Sequence, residues 1–261
     1  MSAPFPLDLE RTPYAYVERP NPTIQRLLAS WVVRDAPSAR ILDIGCGCGA
    51  NARALKETAP GVRVVGVEPN ARAVELAKEA CDEVFHGTSD AWLETEPSET
   101  FDAVVLSDVV EHIADPLAFL RKLASAKQLE NATFIVSVPN YAVWYNRLRT
   151  LGGRFDYAFS GLYDRTHLRF FTRKSIRDLL RHAGFRILDD GSTPSLFQST
   201  APLLRKLFEN DVAEGNHLAL ADSGAYRLYR NYVEPVEGAI CNLWPELLGF
   251  QIVVVARPTR A

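Results

Sequence analysis

The most constraining feature of the sequence is a glycine-rich turn between a short apolar strand and a helix. The strand is predicted over Arg40–Ile44, glycine occupies every second position from Gly45 to Gly49, and a helix is predicted over 50–58. Glycines allow positive φ and let a backbone pass close to a ligand, while the first turn of the helix offers unpaired N–H groups to an anion. The turn therefore predicts a ligand site at the carboxyl end of a buried strand.

Strands and helices alternate along most of the chain. Further strands are predicted over 62–67, 83–86, 101–106, 133–138, 185–188 and 251–256, with helices over 71–80, 116–126 and 172–183. This alternation predicts an α/β fold with a mostly parallel, doubly wound sheet. We expect residues 1–261 to form one domain, with a cofactor-binding half over 36–140.

Two segments interrupt the alternation. Residues 141–171 are rich in aromatic residues, glycine and arginine, and we interpret them as an insertion on the substrate side. Residues 191–249 are too long for an ordinary connection and contain helical patterns near 201–209 and 224–243. They predict a helical cap over one end of the sheet.

Composition limits the classes of partner. The chain has 47% hydrophobic residues and a net charge of -3, from 29 basic and 32 acidic side chains. A general nucleic-acid binder would be basic, so none is expected as a partner. No apolar run approaches the roughly 20 residues that cross a bilayer, and the amino terminus does not resemble a signal peptide. We expect a cytoplasmic protein without a membrane span.

The cysteines predict neither disulfides nor a metal site. Four of them, at positions 46, 48, 81 and 241, are too few and too unevenly spaced for a disulfide framework. Cys46 and Cys48 are only one residue apart, and no second pair or nearby histidine cluster completes a tetrahedral site. We therefore predict reduced thiols and no metal.

An acidic residue after the second predicted strand narrows the ligand class. Glu68 follows the glycine turn by about twenty residues, where an acid can bind both hydroxyls of a ribose. The third glycine comes one residue earlier than in the dinucleotide fingerprint G-x-G-x-x-G. Asp43 disfavours a pyrophosphate at the strand end but can receive a cationic amino group. These features favour S-adenosyl-L-methionine over a nicotinamide dinucleotide.

Four segments resemble the class I S-adenosylmethionine-dependent methyltransferases, in the small-molecule branch that includes the ubiquinone-pathway O-methyltransferases. The segments are 41–49, 67–70, 101–112 and 164–172, and the resemblance covers roughly residues 36–190 and 250–258. It implies a Rossmann-like seven-stranded sheet with an antiparallel last strand and helical insertions.

The resemblance also implies roles for individual residues. Asp43 would receive the amino group of the cofactor, Glu68 would bind the ribose, and Asn70 would contact the adenine edge. In the family, an acid directly after a glycine usually contacts the adenine. Here Gly87 is followed by Thr88 instead, so Ser89 and Asp90 are alternatives for that contact. The implied cofactor-binding residues are Asp43, Gly45, Cys46, Gly47, Gly49, Glu68, Pro69, Asn70, Ser89, Asp90, Ser107, Asp108 and Val109.

Two histidines are candidates for the catalytic base of an oxygen-directed methyl transfer. His112 follows the fourth strand, and His167 lies in a segment of arginines, aspartates and aromatic residues. An imidazole has a pKa near 6.5, which suits proton removal from a hydroxyl. Asp164 could orient His167, as carboxylates do in acid–base pairs. Each histidine could instead fix a loop through local hydrogen bonds.

The acceptor is expected to be a small molecule, such as a sugar, a quinone or a related metabolite. Aromatic residues of the insertion could form its pocket or could belong to an ordinary core: Tyr141, Trp144, Tyr145, Phe155, Tyr157, Phe159 and Tyr163. Two other functions remain as alternatives, a nicotinamide-dependent oxidoreductase and a non-catalytic S-adenosylmethionine-binding partner protein. The sequence does not indicate the oligomeric state.

Overall fold

The sheet of the protein has seven strands. A computed structural model describes residues 20–95, 97–158, 161–194, 232 and 234–259. The strands are β1 (Arg40–Ile44), β2 (Arg63–Glu68), β3 (Glu83–His86), β4 (Ala103–Ser107), β5 (Thr133–Pro139), β6 (Phe185–Pro194) and β7 (Gly249–Pro258). Their order is β3-β2-β1-β4-β5-β7-β6, with parallel pairing from β3 to β5 and β7 antiparallel to both neighbours. The predicted fold class is confirmed.

Nine described helices flank the sheet and connect its strands. They are α1 (Pro22–Leu28), α2 (Ala50–Thr58), α3 (Ala71–Ala77), α4 (Ser89–Glu94), α5 (Pro116–Ser125), α6 (Trp144–Leu151), α7 (Arg173–His182), α8 (Glu234–Leu243) and α9 (Pro245–Leu248). Their starts carry the expected signals, since Asp115 caps α5 with proline at its first position and Thr172 forms a capping box with Ser175 in α7.

Apolar side chains of the strands fill a core on each face of the sheet. In β1, Leu42 and Ile44 pack against one layer of helices, whereas Ile41 packs against the other. All three are nearly inaccessible to solvent. Because both faces are covered, the central strands are continuous apolar runs, as parallel strands usually are. The core holds the strand ends rigidly.

The ligand crevice of such a sheet lies where the strand order reverses. The chain runs outward from β1 through β2 to β3 and then returns to β4 on the opposite side of β1. Neighbouring connections therefore diverge at the carboxyl ends of β1 and β4 and leave a crevice between them. The glycine turn follows β1 directly, so it lies at the mouth of this crevice.

The structure corrects the predicted bounds of the late insertion. Residues 191–194 continue β6 and Gly249 begins β7, so the predicted cap over 191–249 was too wide at both ends. The two strands pair over their whole length, which sequence patterns within either strand do not show. The predicted helix over 201–209 lies outside the described residues, and of the pattern over 224–243 the described helix is Glu234–Leu243.

Four of the described helices were not predicted: α1, α4, α6 and α9. Helix α1 precedes a turn of π-helix over Ala29–Val33, and α6 lies within the aromatic insertion, where no helical periodicity was recognised. Leu148 and Leu151 of α6 are exposed, so its apolar residues do not form the buried stripe that marks an amphipathic helix. Within the described part of the chain, the helices are too short or too polar to cross a lipid bilayer.

Asn140 ties the end of β5 to the last helix. Its amide nitrogen donates to the carbonyl oxygens of Glu246 (3.0 Å) and Gly249 (2.8 Å), and its carbonyl oxygen accepts from the Ala142 N–H (3.0 Å). The side chain is fully buried, so water cannot replace it as the hydrogen-bond partner of these backbone groups. Asn140 therefore holds the chain reversal beside the crevice.

We expect Asn140→Ala to lower the free energy of unfolding by about 2 kcal/mol or more, because it leaves buried polar groups unpaired. For a chain of this size that corresponds to a fall in melting temperature of roughly 5 °C, measured by thermal denaturation. Asn131→Ala, at an exposed site, is the control and should change stability by less than about 0.5 kcal/mol. Equal melting temperatures for the two variants would contradict this role of Asn140.

Candidate active site

The glycine turn is held open by positive φ angles and by contact with the next connection. Gly45, Gly47 and Gly49 have φ of 73°, 55° and 77°. The Gly45 N–H donates to the Val67 carbonyl oxygen at 2.7 Å. A Cβ on Gly45 would lie 2.6 Å from Cγ2 of Val109, which follows β4. The turn after β1 and the turn after β4 therefore pack directly against each other.

Glu68 is positioned by two backbone donors. Its carboxylate accepts the Gly47 N–H at 3.0 Å with one oxygen and the Asn70 N–H at 2.9 Å with the other. The side chain is 7% exposed. Burial raises the pKa of the Glu68 carboxyl, while the two N–H donors oppose that shift. The carboxylate thus links the glycine turn to the end of β2, where a ribose could reach it.

Asp43 presents an unpaired oxygen at the base of the crevice. Its side chain is 2% exposed, and Oδ1 has no hydrogen-bond partner among the residues that the structure describes. Burial, and then the charge of Glu68, raise the pKa of the Asp43 carboxyl to about 7. An orphaned buried carboxyl oxygen is costly unless a cation or donor binds it. The crevice is therefore suited to a ligand with an ammonium group.

Binding of an ammonium-bearing ligand should strengthen as the pH rises from 5.5 to 7. The raised pKa leaves Asp43 mostly protonated at the lower pH, and only the ionised form attracts the cation. Scaling the affinity by the ionised fraction predicts a roughly tenfold lower Kd for S-adenosylhomocysteine at pH 7. Calorimetry over this range avoids loss of the ligand's own amino proton, because α-amino groups titrate above pH 7.

Asp43→Asn should bind more weakly and lose most of that pH dependence. A wild-type Kd that stays constant from pH 5.5 to 7 would contradict the role of Asp43.

The pH dependence of the folding stability of the ligand-free protein has the opposite sign to that of ligand binding. Because the folded pKa is raised above the unfolded value, the stability that Asp43 contributes is fully present below pH 3.8 and is lost as the pH rises through about 7.

Two of the residues predicted to contact the adenine, Asn70 and Asp90, have other partners in the structure. Oδ1 of Asn70 caps α3 by accepting the Arg72 and Ala73 N–H groups, so this oxygen already has partners. Ser89 and Asp90 begin α4, and Asp90 forms an exposed ion pair with Lys122 at 2.6 Å. The structure therefore leaves the adenine contact as a prediction, with the side chain of Asp90 directed to a surface partner.

The other predicted cofactor-binding residues, Cys46, Pro69 and Ser107, differ in their exposure to solvent. The side chain of Cys46 is buried in the core cluster with Cys81, away from solvent. All four cysteines are buried, and none of them forms a disulfide in the structure. Pro69 is exposed, and Ser107 ends β4 opposite Ser137.

A polar network that the sequence did not reveal surrounds Asp108. Its carboxylate accepts from Oγ of Ser137 at 3.0 Å and from Nε2 of Gln251, joining β4 to β5 and β7. Asp108 has φ of 55°, the one positive value at a non-glycine residue in the described chain. Burial raises the pKa of the Asp108 carboxyl to about 6. Gln251 is far away in sequence, so no local motif could indicate this contact.

The two predicted histidines lie together. His112 ends the 3₁₀ turn Val110–His112, which starts directly after Val109, and its ring centroid is 4.9 Å from that of His167. Nδ1 of His112 faces the Thr166 carbonyl oxygen at 3.2 Å, and Nδ1 of His167 faces the Leu162 carbonyl oxygen at 3.3 Å. Burial lowers the pKa of both imidazoles, so the neutral forms are favoured.

Asp164 does not hydrogen-bond the ring of His167, which was one of the two alternatives that the sequence left open. Its Oδ1 accepts from the N–H and the hydroxyl of Thr166, at 2.8 and 2.7 Å. The His167 ring is oriented instead by the Leu162 carbonyl oxygen. Asp164 acts on the histidines through its charge, which raises the pKa of both against the effect of burial.

Aromatic side chains of the insertion form one cluster beside the histidines. Tyr141 is central, with ring centroids at 5.0 Å from Phe170 and 6.0 Å from Phe155. Tyr163 donates its hydroxyl to Asn146, and Nε1 of Trp144 is buried without a hydrogen-bond partner in the described part of the chain. Tyr157 is exposed, and Phe159 lies outside the described residues. Part of the predicted aromatic wall is thus ordinary packing, and Trp144 offers a free donor.

A model of the family described as "Methyltransferase domain" matches residues 14–189, about two thirds of the chain. The chain belongs to this family. The matched range contains the glycine turn, Glu68 and both histidines. This match favours the predicted cofactor, S-adenosyl-L-methionine, over a nicotinamide dinucleotide.

Curated relatives are named ubiquinone biosynthesis O-methyltransferases. The protein from Azorhizobium caulinodans is 32% identical over 163 residues, which cover 59% of this chain and 62% of that protein. The protein from Parvibaculum lavamentivorans is 26% identical over 196 residues, covering 73% of this chain and 74% of its own length. The match to a Bradyrhizobium diazoefficiens relative is 35% identical over 39% of this chain and spans 40% of that protein.

Solved structures share the fold at low identity. A SAM-dependent methyltransferase from Archaeoglobus fulgidus superposes with a TM-score of 0.51 at 19% identity, over 89% of this chain and 93% of that chain. Phosphoethanolamine N-methyltransferase 2 from Haemonchus contortus, solved with S-adenosyl-L-methionine, gives 0.51 at 17% identity over 90% and 53%. These likenesses confirm the architecture and carry no information on the acceptor.

Proposed function

We propose that this methyltransferase acts on a hydroxyl oxygen of a small-molecule acceptor, such as a sugar, a quinone precursor or a related metabolite. The observation that carries the proposal is the pair of half-buried histidines beside the turn after β4, which packs against the glycine turn through Val109. Neutral imidazoles suit an acceptor that must lose a proton. The names of the curated relatives support an oxygen acceptor of the quinone class.

The crevice residues would hold the cofactor as follows. Asp43, with its orphaned Oδ1, would bind the amino group, and the backbone of the glycine turn would hold the methionine part. Glu68 would bind the ribose hydroxyls while keeping its two backbone bonds. Asp108 and Val109, at the end of β4, would lie beside the sulfonium.

The reaction requires alignment and removal of one proton. S-adenosylmethionine supplies the methyl group; its carbon–sulfur bond breaks as the oxygen–carbon bond forms, and the sulfur leaves as a neutral thioether. The hydroxyl proton leaves toward the histidine cluster, so His112 and His167 are the proposed catalytic residues. Alignment of acceptor and cofactor can account for roughly 7–11 kcal/mol of the barrier reduction.

The aromatic insertion would form the acceptor side of the site. Residues 141–171 carry the cluster around Tyr141, which adjoins the segment that holds His167. The unpaired Trp144 N–H could donate to a polar group of the acceptor. Flat apolar rings with a few polar groups are typical of pockets for small organic ligands.

Transfer of labelled methyl groups from S-adenosylmethionine to a panel of phenols, sugars and amines tests the proposal. We expect methyl ethers from hydroxyl acceptors, and a fall in kcat of about 100-fold or more for His112→Ala and His167→Ala. The control His182→Ala, at an exposed helix end, should match wild type. Transfer to amines with none to hydroxyls would contradict oxygen methylation. Full turnover in both active-site variants would show that neither histidine is the catalytic base.

A further inference from the structure

A series of hydrogen bonds connects the helix after the glycine turn to the end of β4. The backbone N–H of Asn21 donates to Oδ1 of Asn51, in the first turn of α2, at 3.0 Å. Nδ2 of Asn21 donates to Oε1 of Gln251 at 3.0 Å, and Nε2 of Gln251 donates to Oδ2 of Asp108. Oγ of Ser137 donates to the other carboxylate oxygen of Asp108 at 3.0 Å. The series therefore ends on a carboxylate at the crevice.

The partners of Gln251 determine which end of its amide faces Asp108. Its Oε1 accepts from Nδ2 of Asn21 and from Oγ1 of Thr193, the latter at 3.2 Å. Asn21 is fixed in turn, because its own Oδ1 caps α1 by accepting two backbone N–H groups of the first turn. With the oxygen of Gln251 bonded to two donors, only its nitrogen can be presented to the carboxylate.

The backbone also holds Asp108 in place at the crevice. Asp108 follows β4 directly, and its φ of 55° is an unfavourable conformation for a residue with a Cβ. Its N–H donates to the Ser137 carbonyl oxygen at 3.2 Å. The next residue, Val109, is the one that packs against Gly45 of the glycine turn. Strained residues that are held by their surroundings in this way are frequent at functional sites.

The Asp108 carboxyl carries a negative charge at neutral pH. Burial raises its pKa to about 6, and the hydrogen bonds from Ser137 and Gln251 oppose that shift. The group is therefore mostly ionised at pH 7. Each oxygen receives one side-chain hydrogen bond in the described chain and has the capacity to accept another partner. A charge in a crevice of low dielectric constant attracts a cation more strongly than it would in water.

The cofactor before and after the reaction differs in a charge that this carboxylate can distinguish. S-adenosylmethionine has a positive sulfonium, whereas S-adenosylhomocysteine has a neutral thioether, and the amino group, ribose and adenine are the same in both. We propose that Asp108 makes the crevice selective for the sulfonium over the thioether, and that Gln251 is the residue that positions its carboxylate. This inference rests on the cofactor placement of the proposed function, with the sulfur beside the end of β4.

Such selectivity would favour the exchange of product for substrate. When the methyl group is transferred, the electron pair of the broken carbon–sulfur bond stays on the sulfur, which becomes neutral. The attraction of Asp108 for that atom is then lost. Asp43 and Glu68 would bind groups that both forms share, so they would not distinguish the two. The product should therefore dissociate more readily than the substrate does.

The ratio of two dissociation constants isolates the effect of the sulfonium. Calorimetry with the full chain at pH 7, without an acceptor, gives the Kd of S-adenosylhomocysteine and that of S-adenosylmethionine. Asp108→Asn removes the charge but tolerates positive φ, and it should lower the ratio of the first Kd to the second about tenfold, as expected for nearby opposite charges under partial screening. Ser137→Ala and Gln251→Leu should each lower the ratio at least about threefold, because loss of a donor leaves more of Asp108 protonated.

The ratio separates this role from a structural one. General damage to the crevice would weaken both ligands together and leave the ratio unchanged, and retained binding of S-adenosylhomocysteine shows that a variant is folded. Gln128→Leu is the matched control for Gln251→Leu and should keep the wild-type ratio. Gln128 lies in the 3₁₀ turn Lys127–Leu129, and its carbonyl oxygen accepts the N–H of Phe101 at the amino end of β4, away from the crevice.

Two results would overturn the inference. An unchanged ratio in Asp108→Asn would show that its carboxylate does not act on the sulfonium. A lowered ratio in Asp108→Asn together with a wild-type ratio in Gln251→Leu would show that Gln251 does not position it. Hydroxyl methylation with an unchanged ratio in Asp108→Asn would reject this inference and leave the proposed function, whereas a lowered ratio without hydroxyl methylation would do the reverse.

Discussion

Replacing Glu68 by alanine should weaken the binding of S-adenosylhomocysteine by at least about 100-fold, or about 2.7 kcal/mol. The carboxylate receives backbone N–H groups from Gly47 and Asn70, and hydrogen bonds to a charged group contribute about 1.5–3 kcal/mol each. The variant loses this support of the glycine turn together with the acceptor for the ribose hydroxyls. Isothermal titration calorimetry measures the change directly.

Two comparisons make the Glu68 result specific. Glu75→Ala removes a carboxylate that is 71% exposed and paired only with Lys78, so its affinity should equal that of wild type. Glu68→Gln keeps one oxygen acceptor and should fall between wild type and alanine. If Glu68→Ala binds S-adenosylhomocysteine as wild type does, the carboxylate does not contact the cofactor.

Gly45→Ala should destabilise the protein by roughly 2–5 kcal/mol and impair cofactor binding. A left-handed backbone costs a non-glycine residue about 1–2 kcal/mol, and the new Cβ, 2.6 Å from Cγ2 of Val109, adds an overpacking cost of about 1–3 kcal/mol. Relief of the contact has to move the turn after β1 or the turn after β4. Denaturant unfolding and calorimetry measure the two effects.

The chain contains a matched control for the backbone cost. Gly153 has φ of 70°, but a Cβ there meets nothing within 4 Å. Gly153→Ala should therefore lose only the conformational part of the free energy and leave cofactor binding unchanged. Adding Val109→Ala to Gly45→Ala should recover the overpacking part. If Gly45→Ala and Gly153→Ala are equally stable, the contact between the two turns is not important.

Local patterns were sufficient for the cofactor-binding half of the fold. The strands β1 to β5 are runs of apolar residues bounded by glycine, proline or charged residues, and their predicted bounds differ from the structure by at most two residues. Glu68 could be placed near the glycine turn because parallel strands end at the same edge of a sheet. The bounds of these strands and the position of Glu68 are therefore determined by residues that are close together in the sequence.

Contacts between distant segments could not be predicted. The extension of β6 depends on pairing with β7, and the Asp108 network depends on Gln251 from the same late strand. The meeting of Glu111 with His167 depends on backbone bonds to Leu168 and Arg169. Composition and spacing do not show which histidines the fold brings together, so the contact between His112 and His167 could not be predicted either.

The most direct test of the account is a crystal structure with S-adenosylhomocysteine. We predict the ligand in the crevice between the carboxyl ends of β1 and β4, with its amino group at Oδ1 of Asp43 and its ribose hydroxyls on the Glu68 carboxylate. The sulfur should point toward the turn that carries His112. A ligand bound elsewhere, with side chains filling the crevice and both carboxylates out of contact, would contradict the central claim.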